Sequence, residues 1–213
     1  MTSDEQRVRA ATLLRELGHE FVARDVSGQV LDEVVERIGL LLEQVRAQPV
    51  RVRTVSDDAL AGFKMTLPDE GRWEKHQLFS DSIVSGAANP MGLGAYLWRE
   101  GDAAIIEVTL GKAFEGAPGR AHGGVVAALI DETMGLAMAI QGALAFTVQL
   151  DITYRAPTPI GQPITARAWV KSHRGRKLEI LATVRSGELV VAEATGLFVT
   201  VDPTTFLKHL LVP

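Results

Sequence analysis

From His122-Gly123-Gly124 to Gln141 the chain is almost uncharged, and Val125, Val126, Ala127, Ala128, Leu129, Ile130, Met134, Leu136, Ala137 and Met138 leave no polar face at helical spacing. A helix that is apolar all round has to be buried. Asp131, Glu132 and Thr133 interrupt the stretch, and it falls short of the about 20 apolar residues that cross a bilayer. The rest of the chain must therefore supply a layer that wraps this helix. A carboxylate inside such a helix is costly unless it is paired or used, which makes Asp131 a candidate for chemistry. Gly123 and Gly124 stand where the helix begins, so the backbone there can approach a ligand closely and point unpaired N–H groups at a negatively charged oxygen.

The wrapping layer is legible in a second periodicity. Ala104, Ile106, Val108 and Leu110 alternate with Ile105, Glu107 and Thr109; Val148, Leu150, Ile152 and Tyr154 alternate with Gln149, Asp151, Thr153 and Arg155. The same period of two runs through residues 164–171, 178–185 and 189–201. Strict alternation gives each strand one buried face, as in an antiparallel sheet. Strands, one buried helix and four more strands predict a two-layer α+β domain, a sheet around a central helix. Ala166, Ala168, Ala182, Ala192, Ala194 and Gly196 on inward positions suit a helix lying close to a curved sheet.

Upstream the period is helical. Ser3 with Gln6 reads as a capping box, and Val8, Ala11, Leu14, Leu17 and Phe21 share one face of a first helix that is weakened at Gly18. Ser27 is placed to cap a second helix, in which Leu31, Val34, Val35, Ile38, Leu41, Leu42 and Val45 recur until Pro49. Both helices are expected to dock on something. Residues from Pro49 to about Pro90 read as extended or loop. The expected division is a helical extension with an irregular linker over residues 1–84 and the sheet domain over 85–213.

Composition narrows the function classes. The formal charge of −4 over 213 residues gives no basic field for nucleic acid. With no cysteine, thiolate nucleophiles, disulfides and thiolate metal sites are excluded. His19, His76 and His209 stand alone, so no metal site and no cofactor is expected. The first residues lack a basic segment followed by an apolar run, which makes the cytoplasm the expected location. There is no G-x-S-x-G elbow, and Leu110-Gly111-Lys112-Ala113 is not a complete phosphate-binding loop.

His122-Gly123-Gly124, Asp131 nine positions after His122, Thr147 before an alternating strand, and Arg174-Gly175-Arg176-Lys177 in a later turn together resemble the hotdog-fold acyl-CoA thioesterases, in the phenylacetic-acid-pathway-like branch. The likeness covers roughly Ser85 to Val201. It implies a hotdog fold and hydrolysis of a fatty or aryl acyl-CoA, with Asp131 as general base or nucleophile. A backbone N–H after His122, that of Gly124 together with that of Gly123, would hold the oxyanion, and Thr147 would orient water or substrate. The chemistry agrees, since an aspartate is ionised at neutral pH and each oxyanion donor is worth ~10²–10³ in rate. Arg174, Arg176 and Lys177, joined by Arg155, suit the phosphates of coenzyme A. Packing near Asn89, Met134 and Met138 would set the acyl pocket.

Gly123 and Asp131 lie eight residues apart on one helix, about 12 Å at ~1.5 Å per residue. One helix therefore does not supply both groups to one thioester. Two antiparallel helices across a two-fold axis do, so the expectation is a homodimer with two composite sites, which could pair further into a dimer of dimers. Glu132 points about 100° away from Asp131 and reads as solvated or structural. The alternatives are an acyl-CoA-binding sensor without turnover and a hotdog hydratase or dehydratase.

Overall fold

A computed structural model describes residues 1–51, 71–73 and 80–202. Two helices come first, α1 (Ser3–Ala23) and α2 (Gly28–Arg46). Nine strands and the central helix follow: β1 (Gly71–Trp73), β2 (Tyr96–Glu100), β3 (Ala103–Thr109), β4 (Glu115–Ala117), β5 (Arg120–Ala121), α3 (Gly123–Ile140), β6 (Ala145–Tyr154), β7 (Pro163–Arg174), β8 (Lys177–Ser186) and β9 (Leu189–Thr200). Seven strands form one antiparallel sheet in the order β1-β2-β3-β7-β8-β9-β6, and β4 pairs with β5 beside it. β1 falls in the segment that sequence reading left as extended or loop. His76 and His209 lie outside the described residues.

The sheet wraps α3, which packs chiefly on β7, β3 and β8. Leu129, Ile130 and Met134 are fully buried, each contributing about 1.5–3 kcal/mol through the apolar area removed from water. The small inward residues do what their size predicts. Ala166, Ala168, Ala182 and Ala192 are buried under the helix, and a Cβ on Gly196 would sit 2.6 Å from both Met134 Sδ and Phe198 Cε2. By length and hydropathy alone α3 could cross a membrane, more than its sequence suggested. With half of it buried inside the sheet, α3 is a core helix.

Three local expectations change. The cap of α1 is Thr2, not Ser3: Thr2 Oγ1 accepts from Glu5 N–H at 3.2 Å, while the Glu5 carboxylate accepts from Thr2 N–H at 2.7 Å. An ionised carboxylate three residues on from Thr2 outcompetes the neutral amide of Gln6. The docking face of α1 is Ala11, Thr12, Arg15 and His19, whereas Leu14, Leu17 and Phe21 are exposed. α2 buries none of its residues among those described, and Ser27 sits at its N-cap without a side-chain capping bond.

β6 departs from the one-buried-face rule. It is the edge of the sheet, carries a bulge between Thr147 and Gln149, and leaves Phe146, Val148 and Tyr154 exposed.

Candidate active site

Asp131 sits midway along α3, half-buried, and its Oδ1 accepts a hydrogen bond from Thr147 Oγ1 at 2.9 Å. β6 brings Thr147 there from the sheet edge, so two residues sixteen apart in sequence meet across the helix–sheet interface. The bond occupies one lone pair and fixes the carboxylate's rotamer. Its other oxygen is left for water or substrate.

The start of α3 is built from three directions. His122, in extended conformation at φ −65° and ψ 132°, is the N-cap, and its Nδ1 accepts from Gly124 N–H at 3.0 Å. That acceptance places the imidazole proton on Nε2. Gly124 N–H, the foremost oxyanion donor from sequence, is thus engaged by the neighbouring ring. Gly123 N–H, the first of the helix, has no intrahelical acceptor and no partner among the described residues. Tyr154 at the far end of β6 donates its hydroxyl to Gly123 O at 2.8 Å. Sequence reading placed Tyr154 on the strand and gave it no role at the site; its hydrophobic alternation hid the polar tip.

An open cleft of about 540 Å³ lies against this helix start, lined among others by Arg120, His122, Gly123, Tyr154, Arg155 and Thr158. Arg120, two residues before His122 in the run that leads into α3, is one of the lining cations. Arg155 reaches Glu193 at 2.7 Å. Arg176 donates through Nε and Nη2 to Thr200 O, both at 3.2 Å, and Arg174 and Lys177 pair across the hairpin. These cations do not converge within one chain. Arg155 N–H bonds Val191 O, whereas Lys177 stands opposite Val199, at the other end of β9. The arginine turn shares its end of the sheet with Thr147, and Arg155 shares the other with Gly123.

Asn89 belongs to a loop over residues 80–92. Its Oδ1 accepts from Met91 N–H at 2.8 Å and its Nδ2 donates to Asp81 O at 3.1 Å, so its side chain is spent on the loop itself. The same loop satisfies Glu132, whose carboxylate accepts from Ser82 Oγ, Ser85 Oγ and Ser85 N–H. Glu132 is therefore structural and anchors the residue next to Asp131. No group of three or more His, Asp or Glu side chains is arranged to hold a metal among the described residues.

Residues 118–193, which contain the start of α3, Asp131 and Thr147, match the model of the Thioesterase superfamily. The match spans about a third of the chain. Two curated relatives are acyl-coenzyme A thioesterase THEM4 from Mus musculus, 37% identical over 42% of this chain and 39% of that protein, and THEM4 from Rattus norvegicus, 33% identical over 63% and 58%. The chain thus spans less than two thirds of the length of these relatives. A crystal structure described as that of a thioesterase superfamily protein superposes with a TM-score of 0.75 at 26% identity, over 91% of this chain and 90% of that one. The superposition extends beyond the region of the family match, and the sheet wrapped around a helix is the hotdog arrangement.

Proposed function

We propose that this chain hydrolyses an acyl-CoA thioester, with Asp131 activating water or attacking directly and Gly123 N–H holding the oxyanion. The observation that carries the reading is the pair of prepared groups on one helix, a carboxylate oriented by Thr147 and an unpaired N–H at the helix start. In hydrolysis the water oxygen adds to the thioester carbonyl, the carboxylate takes its proton and passes it to the departing sulfur, and the C–S bond breaks to release the CoA thiol and the free acid. Gly124 N–H joins Gly123 if substrate displaces it from His122.

The two groups act on one carbonyl only if they come from two chains. Eight residues of helix separate them by about 12 Å, and a thioester with its attacking water spans a few ångströms. The exposed edge strand β6, with Phe146, Val148 and Tyr154 outward, supports a homodimer formed along that edge. In such a pair the arginine turn of one chain accompanies its own Asp131, and Arg120 and Arg155 accompany the partner's Gly123. The phosphates of coenzyme A would meet cations from both.

Thiol release from a panel of short, long and aryl acyl-CoAs tests the reading, with Asp131→Asn as the paired variant. Asp131→Asn is expected to fold and to lose ~10²–10⁴ of the rate. Turnover equal to the unsubstituted chain would remove Asp131 from the chemistry. Saturable binding without thiol release would make the protein a sensor, and a change in enoyl absorbance without thiol release would make it a hydratase.

A further inference from the structure

We propose that α1 is a positioning element of the active site, in which His19 holds the Gly111–His122 loop, and hence the start of α3, in its working geometry. The inference rests on the thioesterase reading for its catalytic readout and on geometry for the rest. Gly111 is the N-cap of the 3-10 turn Lys112–Phe114 and has no side chain to cap it. His19 performs that task from α1, its Nδ1 accepting from Ala113 N–H at 3.1 Å. The imidazole also meets the Phe114 ring edge-on, with centroids 5.1 Å apart at 72°. It lies so close to Gly111 that a Cβ there would fall 2.5 Å from Nδ1.

The contact continues into the site without a gap. Phe114 O accepts from His122 N–H at 2.9 Å, and His122 caps α3 through Gly124 N–H. A Cβ on Gly116 would approach His122 Cα to 2.8 Å, so this loop is packed directly on the capping residue. One turn earlier on α1, Arg15 donates through Nη1 to Ala87 O at 3.2 Å and Asn89 O at 2.6 Å. Those carbonyls belong to the loop whose Ser82 and Ser85 hold Glu132, the neighbour of Asp131. Arg15 and His19, four residues apart on one helix face, thus reach both halves of the site.

The latch needs a neutral ring, because a protonated Nδ1 cannot accept from Ala113 N–H. Burial, then Arg15, hold the His19 pKa below its usual 6.5, against the opposing pull of Glu20. The facing loop carries Lys112 and Glu115, which pair with each other at 3.0 Å. With the folded pKa depressed, the contribution of His19 is complete above the unfolded value of 6.5 and is lost as pH falls through the folded one.

The test compares His19→Asn, His19→Ala and Gly111→Ala in the full chain. Asn offers an acceptor oxygen near the position of Nδ1 and does not titrate, so it is expected to keep kcat at neutral pH. Ala, and a methyl at Gly111 that evicts the ring, are expected to lower kcat up to about 10²-fold with KM little changed, the scale of a small misplacement remote from the chemistry. The ratio of wild-type to His19→Asn activity should fall as pH drops below 6.5. Amide exchange over residues 112–124 should rise in both the His19→Ala and Gly111→Ala chains. A lowered melting temperature with unchanged kcat and a pH-independent ratio would overturn the proposal, as would unchanged exchange. If the unsubstituted chain releases no thiol, the thioesterase reading fails and exchange alone decides the latch.

Discussion

Replacing Glu132 with alanine should cost far more than its half-exposed position suggests. Ser85 is 1% exposed, and both its hydroxyl and its N–H donate to Glu132 Oε1, while Ser82 donates to Oε2. Truncation takes the acceptor from the buried Ser85 hydroxyl, at about 1–3 kcal/mol, and leaves the Ser85 N–H only the longer bond to Ser82 Oγ at 3.4 Å, at about 1 kcal/mol, or about 2–4 kcal/mol together. For a chain of this size that is a fall of about 5–15 °C in Tm. Glu132→Gln keeps an oxygen toward Ser85 and loses mainly the charge assistance, about 1 kcal/mol. Urea unfolding followed by circular dichroism measures both, and a cycle with Ser85→Ala should show coupling of at least about 1 kcal/mol. A loss below about 0.5 kcal/mol for Glu132→Ala, the size of an ordinary surface substitution, would refute the bridge between loop and helix.

Two further substitutions separate catalysis from packing. Gly123→Pro deletes the unpaired N–H and nothing else of the helix, since proline is favoured at the first helical position and His122 is already extended at ψ 132°; an unchanged helical signal with a rate loss of ~10²–10³ is expected in the thiol-release assay. Gly196→Ala forces a methyl against Met134 and Phe198 and should destabilise by about 1–3 kcal/mol on urea unfolding.

The parts of the molecule that were legible in sequence are those set by local period. The all-apolar run became α3, and alternation located β7, β8 and β9 and their inward alanines, because burial on one side leaves its imprint every second residue. β6 carries the same alternation but lies at the edge, so Val148 and Tyr154 are exposed in the single chain. The hydrophobic period of α1 finds the buried Ala11 but also favours the exposed Leu14 and Leu17, whereas the other docking residues, Arg15 and His19, bind backbone groups more than seventy residues away. No local pattern encodes such partners. Glu132 was separated from Asp131 correctly by helical geometry, yet its serines, near position 82, lie in a loop without periodicity. Which of the Gly123 and Gly124 N–H groups is engaged turns on one imidazole nitrogen, a detail of conformation that the His-Gly-Gly motif does not specify.

The composite site is tested most directly by mixing two inactive chains. Asp131→Asn lacks the carboxylate and Gly123→Pro lacks the proposed oxyanion donor, so in the proposed homodimer each variant is impaired at both sites. After unfolding and refolding together in equal amounts, half of the dimers pair one chain of each kind, and each mixed dimer regains one intact site. Recovery to about a quarter of wild-type turnover is expected from random pairing. Activity no greater than the sum of the two separate variants, with mixed dimers shown to be present, would contradict a site shared between two chains.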